Sequence, residues 1–154
     1  MHDLQREHAV VIGGSVAGLL AASVLCEAYD RVTIVDRDEL PGGAEPRAGV
    51  PQGRHVHGLL PSGVQAIEAL LPGFTSDLVA AGAPSGDAVR DSRYYFSGRL
   101  MPRCESGLLA LGPSRPMLEG LLRARVRSRP TVSVLPRYDV TGLIADSGAG
   151  RVTS

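Results

Sequence analysis

The chain has 154 residues, the usual size of one domain. Sixteen basic residues, all of them arginine, balance sixteen acidic residues, which argues against a nucleic-acid partner and against a polybasic membrane patch. No apolar run approaches the roughly 20 residues of a membrane span, and residues 1–8 are polar, so we expect a cytoplasmic protein without a transmembrane segment.

The first 36 residues follow the order strand, glycine-rich turn, helix, strand. Residues 9–12 are a short apolar run that ends in glycines, which is typical of a buried parallel strand. The next apolar residues recur at helical spacing and predict an inward helix face made of Ala17, Leu20, Ala21, Val24, Leu25 and Ala28. Residues 32–35 are rich in β-branched side chains, so the opening predicts a βαβ unit.

Residues 41–61 predict a long connection, which is uncommon in a compact domain unless it is functional. Ser62 and Gln65 then predict a capping box at the start of a second helix. The inward residues predicted for this helix are Val64, Ile67 and Leu71, and a Pro-Gly pair ends it.

Ser114 predicts the N-cap of a third helix that extends to residue 128. Its inward residues are predicted to be Leu118, Leu121, Leu122 and Val126. Residues 131–135 predict a strand that lies parallel to the first two, because crossovers through a helix return to the same sheet in the same direction.

Two β-hairpins are predicted. The first covers residues 89–101 and turns at Ser97 and Gly98, and the second joins residues 138–145 to the segment from residue 151 onward. The sequence stops shortly after that second turn, so we expect a truncated domain.

The strongest chemical signal is the run Gly13-Gly14-Ser15-Val16-Ala17-Gly18, a dinucleotide fingerprint with serine at its middle glycine. Gly13 permits a tight turn, Gly18 allows close packing of helix on strand, and the helix N-terminus offers N–H groups to a pyrophosphate. Ser15 adds a Cβ where the backbone approaches phosphate, although its hydroxyl can donate a hydrogen bond. The alternative is a glycine-rich turn that binds no ligand.

Asp36 closes the second predicted strand, where a carboxylate accepts hydrogen bonds from ribose hydroxyls. A carboxylate there repels a 2′-phosphate, so the position favours FAD or NAD over NADP. Arg37 follows directly and either covers the adenine or phosphate, or is a solvated surface residue.

Residues 46–58 are rich in glycine and proline and carry five polar side chains: Arg47, Gln52, Arg54, His55 and His57. We interpret this stretch as a ligand-facing loop, with a merely solvated loop as the alternative. The spacing of the two histidines would suit a metal, but no third ligand lies nearby in the sequence.

Arg115 lies in the first turn of the third helix, where the helix dipole disfavours a cation, and this suggests an anionic partner such as phosphate. The helix ends in further arginines that complement the dipole, which we interpret as a solvated helix end: Arg123, Arg125, Arg127 and Arg129.

Residues 10–19, 32–38 and 47–59 resemble the N-terminal part of actinobacterial FAD-dependent monooxygenases, in particular the squalene-epoxidase-like group that includes polyether epoxidases. Residues 115–123 resemble that family's helix after the first hairpin, and residues 138–143 its adenine-side strand. The resemblance implies an α/β, Rossmann-like FAD-binding domain over residues 1–154, with a parallel sheet and an antiparallel hairpin.

The resemblance also implies roles for individual residues. Residues 13–18 would hold the FAD pyrophosphate, and Asp36 would bind the adenosine ribose. Arg37 would lie over the adenine side, and the backbone of Val140 would meet the adenine. Arg47 and Arg115 would face the flavin end or the pyrophosphate.

Members of this family reduce FAD with NADH or NADPH and use O₂ to hydroxylate or epoxidise a small organic substrate. The family's second flavin motif, a Gly-Asp pair late in the domain, has no counterpart here, and most of the substrate domain is missing. We therefore expect a segment that needs a complementing downstream segment and is inactive alone. Two alternatives stay open: another flavoprotein, such as a halogenase or a prenyl reductase, and a non-catalytic nucleotide-binding module.

Overall fold

The computed structural model describes residues 6–55 and 57–144. A single turn of 3₁₀ helix, Pro51–Arg54, interrupts the connection between the second strand and the second helix. The other elements are, in chain order, β1 (His8–Ile12), α1 (Val16–Leu25), β2 (Arg31–Asp36), α2 (Pro61–Leu70), α3 (Phe74–Ala80), β3 (Ser85–Asp87), β4 (Tyr95–Phe96), β5 (Arg99–Leu100), β6 (Leu109–Leu111), α4 (Arg115–Arg127) and β7 (Val132–Pro136).

The central sheet consists of three parallel strands in the order β1-β2-β7. In its register Ala9 lies opposite Val32, and Val32 lies opposite Val132. The prediction of three parallel strands in one sheet is confirmed. The middle strand is the most buried, with Val32 and Ile34 fully inaccessible, because it has a neighbour on each side.

One hydrophobic core joins the helices to this sheet. Helices α1 and α4 pack against each other, and α2 and α3 extend the same core. Its fully inaccessible side chains are Leu19, Ala22, Val32, Ile34, Leu78, Leu122 and Val126. None of the helices in the described ranges combines the length and the apolarity of a membrane span.

The predicted inward face of α1 is confirmed only in part, because Leu20 and Leu25 pack against the core as predicted. The helix buries Leu19, Ala22 and Ser23, whereas Ala17, Ala21 and Val24 are exposed. Its sequence is apolar on almost every side, so hydrophobic spacing does not distinguish one face from another. The face is set instead by Gly18, which packs against the turn after β1 and places Ala22, four residues later, on the same side.

The capping box predicted for α2 is also wrong. The helix begins at Pro61 with Leu60 as its N-cap, and no side chain caps it. Proline suits the first helical position because it lacks the N–H group that would be unsatisfied there. The predicted inward residues Val64, Ile67 and Leu71 are buried. In α4 the predicted cap is confirmed, since Met117 N donates to Ser114 Oγ.

The hairpin of β4 and β5 turns at Ser97 and Gly98, which both have positive φ, so the predicted turn is confirmed. A second antiparallel pair, β3 and β6, was not predicted. Residues 138–144 are irregular and do not form the predicted strand. A strand needs a hydrogen-bonded neighbour, and the neighbour predicted from residue 151 onward lies outside the described residues, as does the turn of that second hairpin.

Candidate functional site

The turn between β1 and α1 has the geometry that its glycines predict. Gly13 has a φ of +96°, in the region that favours glycine, and its N–H donates to Val35 O at 2.8 Å. A Cβ on Gly18 would lie 1.7 Å from the carbonyl oxygen of Gly13. Only glycine at position 18 therefore lets α1 approach the turn this closely, which confirms the predicted packing role.

A cavity of about 380 Å³ lies at the carboxyl ends of the parallel strands. Ligands bind at this edge in open α/β sheets. The lining comprises Ile12, Gly13, Ser15, Val35, Asp36, Arg37, Asp38, Arg47, Gly49, Val50, Tyr138, Asp139 and Val140. Its size falls in the range of about 300–1,000 Å³ that is usual for ligand pockets.

Asp36 ties the turn to the end of β2. The N–H of Gly14 donates to its Oδ2 at 2.6 Å, and the N–H of Asp38 donates to its Oδ1 at 2.8 Å. Arg47 Nη1 lies 3.4 Å from the same Oδ2. A carboxylate has about four acceptor positions, so these three contacts leave capacity for a ligand hydroxyl at the cavity edge.

Glu119 on α4 is a buried carboxylate that the sequence did not single out. It is only 2% exposed, yet it accepts hydrogen bonds from three different side chains. Ser15 Oγ donates to Oε1 at 2.7 Å, and Arg115 Nε donates to the same oxygen at 2.8 Å. Arg47 donates to Oε2 through Nε at 3.2 Å and through Nη2 at 3.1 Å. The one signal in the sequence is the i,i+4 spacing of Arg115 and Glu119.

These contacts control the ionisation of Glu119. Burial alone would raise its pKa, but the hydrogen bonds from Ser15 and Arg115 and the charge of Arg47 outweigh burial, so the pKa is lowered. Glu119 is therefore ionised at neutral pH. Burial and the charge of Arg115 lower the pKa of the nearby His57, against the smaller opposite effect of Glu119. The imidazole is accordingly neutral at pH 7.

Arg47 joins the cavity to this network. Its side chain is 4% exposed, and its Nη1 lies 3.4 Å from both Asp36 and Asp38. Asp38 also accepts a hydrogen bond from the N–H of Gly49 at 2.7 Å. The loop that carries Arg47 is thus fastened to the end of β2 by one side chain and one backbone group.

The prediction that Arg123 is a solvated residue is wrong. It is 1% exposed, and it donates to Pro41 O and Gly43 O, each at 2.8 Å. A Cβ on Gly120 would lie 2.8 Å from the oxygen of Gly43, so α4 and this loop are in direct contact. Arg127 also donates to a loop carbonyl, that of Leu40. The helix dipole would account for arginines at this helix end, but Arg123 and Arg127 instead donate to loop carbonyls.

The predicted site residues divide into two groups. Those that line the cavity are Gly13, Ser15, Asp36, Arg37, Arg47 and Val140. Gly14 is buried behind Asp36, whereas Val16, Ala17 and Gly18 form the first turn of α1. Arg115 does not line the cavity, although its Nη2 donates to Ser15 Oγ at the cavity edge at 2.9 Å. The anionic partner that Arg115 has in the structure is Glu119.

No protein-family model matches the chain. Among curated proteins, Protein Rv3254 of Mycobacterium tuberculosis is 40% identical over 162 residues, which cover 95% of this chain and 34% of that protein. The chain therefore spans about a third of the length of this relative.

Solved structures of flavin-dependent enzymes share the fold. PqsL from Pseudomonas aeruginosa superposes with a TM-score of 0.65 at 18% identity, covering 95% of this chain and 39% of PqsL. The p-nitrophenol 4-monooxygenase PnpA from Pseudomonas putida gives 0.65 at 21% identity, covering 91% and 35%. The myxobacterial chondrochloren halogenase CndH, an FAD-dependent halogenase, gives 0.64 at 23% identity, covering 92% and 30%. The chain thus shares a Rossmann-like α/β fold with roughly a third of the length of each of these enzymes.

Proposed function

We propose that this chain forms the adenine-dinucleotide-binding part of an FAD-dependent monooxygenase. The observation that carries the proposal is the cavity at the carboxyl ends of β1 and β2, which brings the glycine turn and Asp36 to one site. The space around Gly13 is open, with no atom within 4 Å of a built Cβ. This side of the turn therefore leaves room for a ligand to approach the backbone.

The residues of the cavity fit the parts of such a ligand. The N–H groups at the start of α1 would bind the diphosphate, as helix N-termini do. The remaining acceptor position of Asp36 would bind a ribose hydroxyl. Arg37 and the backbone of Val140, on the far side of the cavity, would flank the adenine.

FAD bound there would supply the redox chemistry, with NADH or NADPH as the reductant and O₂ as the oxidant. This chain would bind and orient the cofactor. Segments that correspond to the other two thirds of the relatives would bind the organic substrate and form the remaining walls of the flavin site. Within the family, the squalene-epoxidase-like type is our proposal because of residues 47–59, and we also propose a cytoplasmic location.

A second candidate is an FAD-dependent halogenase, which the similarity to CndH supports. We favour the monooxygenase because residues 47–59 resemble that family. Reduced flavin, O₂ and halide supplied to the whole protein with candidate substrates would separate the two, because only a halogenase forms a carbon–halogen bond.

Binding of FAD to Asp36→Asn tests the proposal directly. We expect the variant to bind FAD about tenfold more weakly than the wild type, the scale of a lost charged hydrogen bond. Asp77→Asn is the matched control, because Asp77 is paired with Arg125 on α3 and α4. Flavin fluorescence gives the affinities, and circular dichroism checks that both variants fold. Equal FAD affinity in all three proteins, or no FAD binding by the wild type, would contradict the proposal.

A further inference from the structure

The guanidinium of Arg115 lies at the N-terminus of α1, a position that is unfavourable for a cation. Ser15 is the N-cap of that helix, and Arg115 Nη2 donates to its hydroxyl at 2.9 Å. The helix N-terminus carries a partial positive charge, which repels an arginine. Something must therefore compensate for this placement.

Glu119 supplies the compensation. Its Oε1 accepts from Arg115 Nε at 2.8 Å and from Ser15 Oγ at 2.7 Å, so one carboxylate oxygen holds both groups. The hydroxyl of Ser15 donates to Glu119 and accepts from Arg115 at the same time, as one hydroxyl group can. Glycine at position 15 could make neither contact.

The guanidinium of Arg115 uses only part of its hydrogen-bonding capacity. A guanidinium has five N–H donors, and Arg115 uses two of them for Glu119 and Ser15. The other three have no hydrogen-bond partner among the described residues, and the side chain is 16% exposed. Arg47 differs, because its N–H groups already contact three carboxylates. Arg115 thus retains donors for a ligand beside the turn.

We propose that Glu119 and Ser15 are positioning residues for the diphosphate. Together they fix the guanidinium of Arg115 at the first turn of α1, so that its unused donors meet the diphosphate of the bound dinucleotide. This inference rests on the proposed function, since it assumes that the turn binds a dinucleotide. It also explains the serine in the fingerprint, because the Ser15 hydroxyl accepts a hydrogen bond from Arg115 of α4, which lies 100 residues away in the sequence.

A purely structural bridge between α1 and α4 would explain the same contacts, so the test must separate the two. ADP and adenosine differ in the diphosphate alone. A positioning role for Ser15 affects the binding of ADP and leaves that of adenosine unchanged, whereas a distorted turn weakens both.

Ser15→Ala removes the anchor without changing any charge. We expect it to bind ADP about tenfold more weakly than the wild type in calorimetry, with unchanged adenosine affinity in saturation-transfer NMR. Ser23→Ala is the matched control, because Ser23 is a buried serine of the same helix whose hydroxyl donates to Leu20 O. It should alter neither affinity. The double variant Ser15→Ala/Arg115→Met should bind ADP no more weakly than Arg115→Met alone, because Ser15 acts through Arg115.

The experiment distinguishes failure of the positioning role from failure of the proposed function. If the wild type binds ADP and Ser15→Ala binds it equally well, the positioning role is wrong and the proposed function stands. Equal losses for ADP and adenosine would make the bridge purely structural. Additive losses in the double variant would show that Ser15 acts independently of Arg115. A wild type that binds neither ADP nor FAD would remove the proposed function itself, and the inference with it.

Discussion

The two sides of the cavity are built by different means. On one side, the turn from β1 through α1 to β2 is shaped by backbone geometry, with a glycine of positive φ and a glycine without room for a Cβ. On the other side, the loop after β2 is joined to α4 by contacts of charged side chains that span 72 to 87 residues of sequence. The glycine geometry can be predicted from a short stretch of sequence, whereas the buried contacts depend on the completed tertiary structure.

Gly18→Ala tests the first side, and we expect the largest effect there. The new Cβ would lie 1.7 Å from the oxygen of Gly13 and 2.9 Å from its carbonyl carbon, and this backbone has no room to move without displacing β1 or α1. We expect a loss of at least about 4 kcal/mol in the free energy of unfolding, measured by urea denaturation with circular dichroism. Gly53→Ala is the control, because its Cβ would meet nothing closer than 3.8 Å. Similar stability of the two variants would show that the close approach is not required.

This side was predictable because each signal is local. The parallel strands β1 and β2 and the turn geometry of Gly13 and Gly18 follow from residues within one element or its neighbour. Even there the inward face of α1 was predicted only in part, because an almost uniformly apolar helix carries no periodic signal. Packing against the turn decides that face, and packing is a property of the folded chain.

Arg123→Met tests the second side. The variant keeps much of the side-chain volume but leaves the carbonyls of Pro41 and Gly43 without their donor, so we expect a loss of about 3 kcal/mol. Arg125→Met is the matched control on the same helix. Its ion pair with Asp77 is partly exposed, and we expect a change of no more than about 1 kcal/mol. Equal unfolding curves for the two variants would mean that burial of Arg123 contributes nothing.

The sequence could not distinguish these two arginines. Both lie near the C-terminal end of α4, where either complements the helix dipole, and no motif marks the one that is buried. The difference arises from the loop that contacts α4, which begins about 80 residues earlier in the chain. For the same reason Glu119 escaped notice, because its partners Ser15 and Arg47 come from two distant segments.

Glu119→Gln tests whether the charge of Glu119 makes the stability of the second side depend on pH. Because the folded state lowers the pKa of Glu119, the ionised carboxylate contributes stability above its ordinary value of 4.5, and this contribution is lost as the pH falls through the lowered value. At pH 7 we expect the variant to be less stable by about 2 kcal/mol. The difference in stability should narrow below pH 4.5 and close once the pH has fallen through the lowered pKa, where protonated Glu119 resembles glutamine. Urea denaturation from pH 7 to pH 3 measures this, and a gap that stays constant would contradict the assignment of the charge.

Ser15→Gly sharpens the comparison at the residue where the two sides meet. The dinucleotide fingerprint has glycine at this position because the backbone must approach the pyrophosphate, so restoring glycine should strengthen binding if backbone geometry dominates. If the ionic network dominates, glycine removes the anchor of Arg115 and ADP binding weakens. We expect the second result, by about 1 kcal/mol, a smaller loss than for Ser15→Ala because the freed space partly offsets it. Calorimetric titration of both variants with ADP distinguishes the two results. Tighter ADP binding by Ser15→Gly than by the wild type would show that backbone geometry, and not the ionic network, determines the affinity.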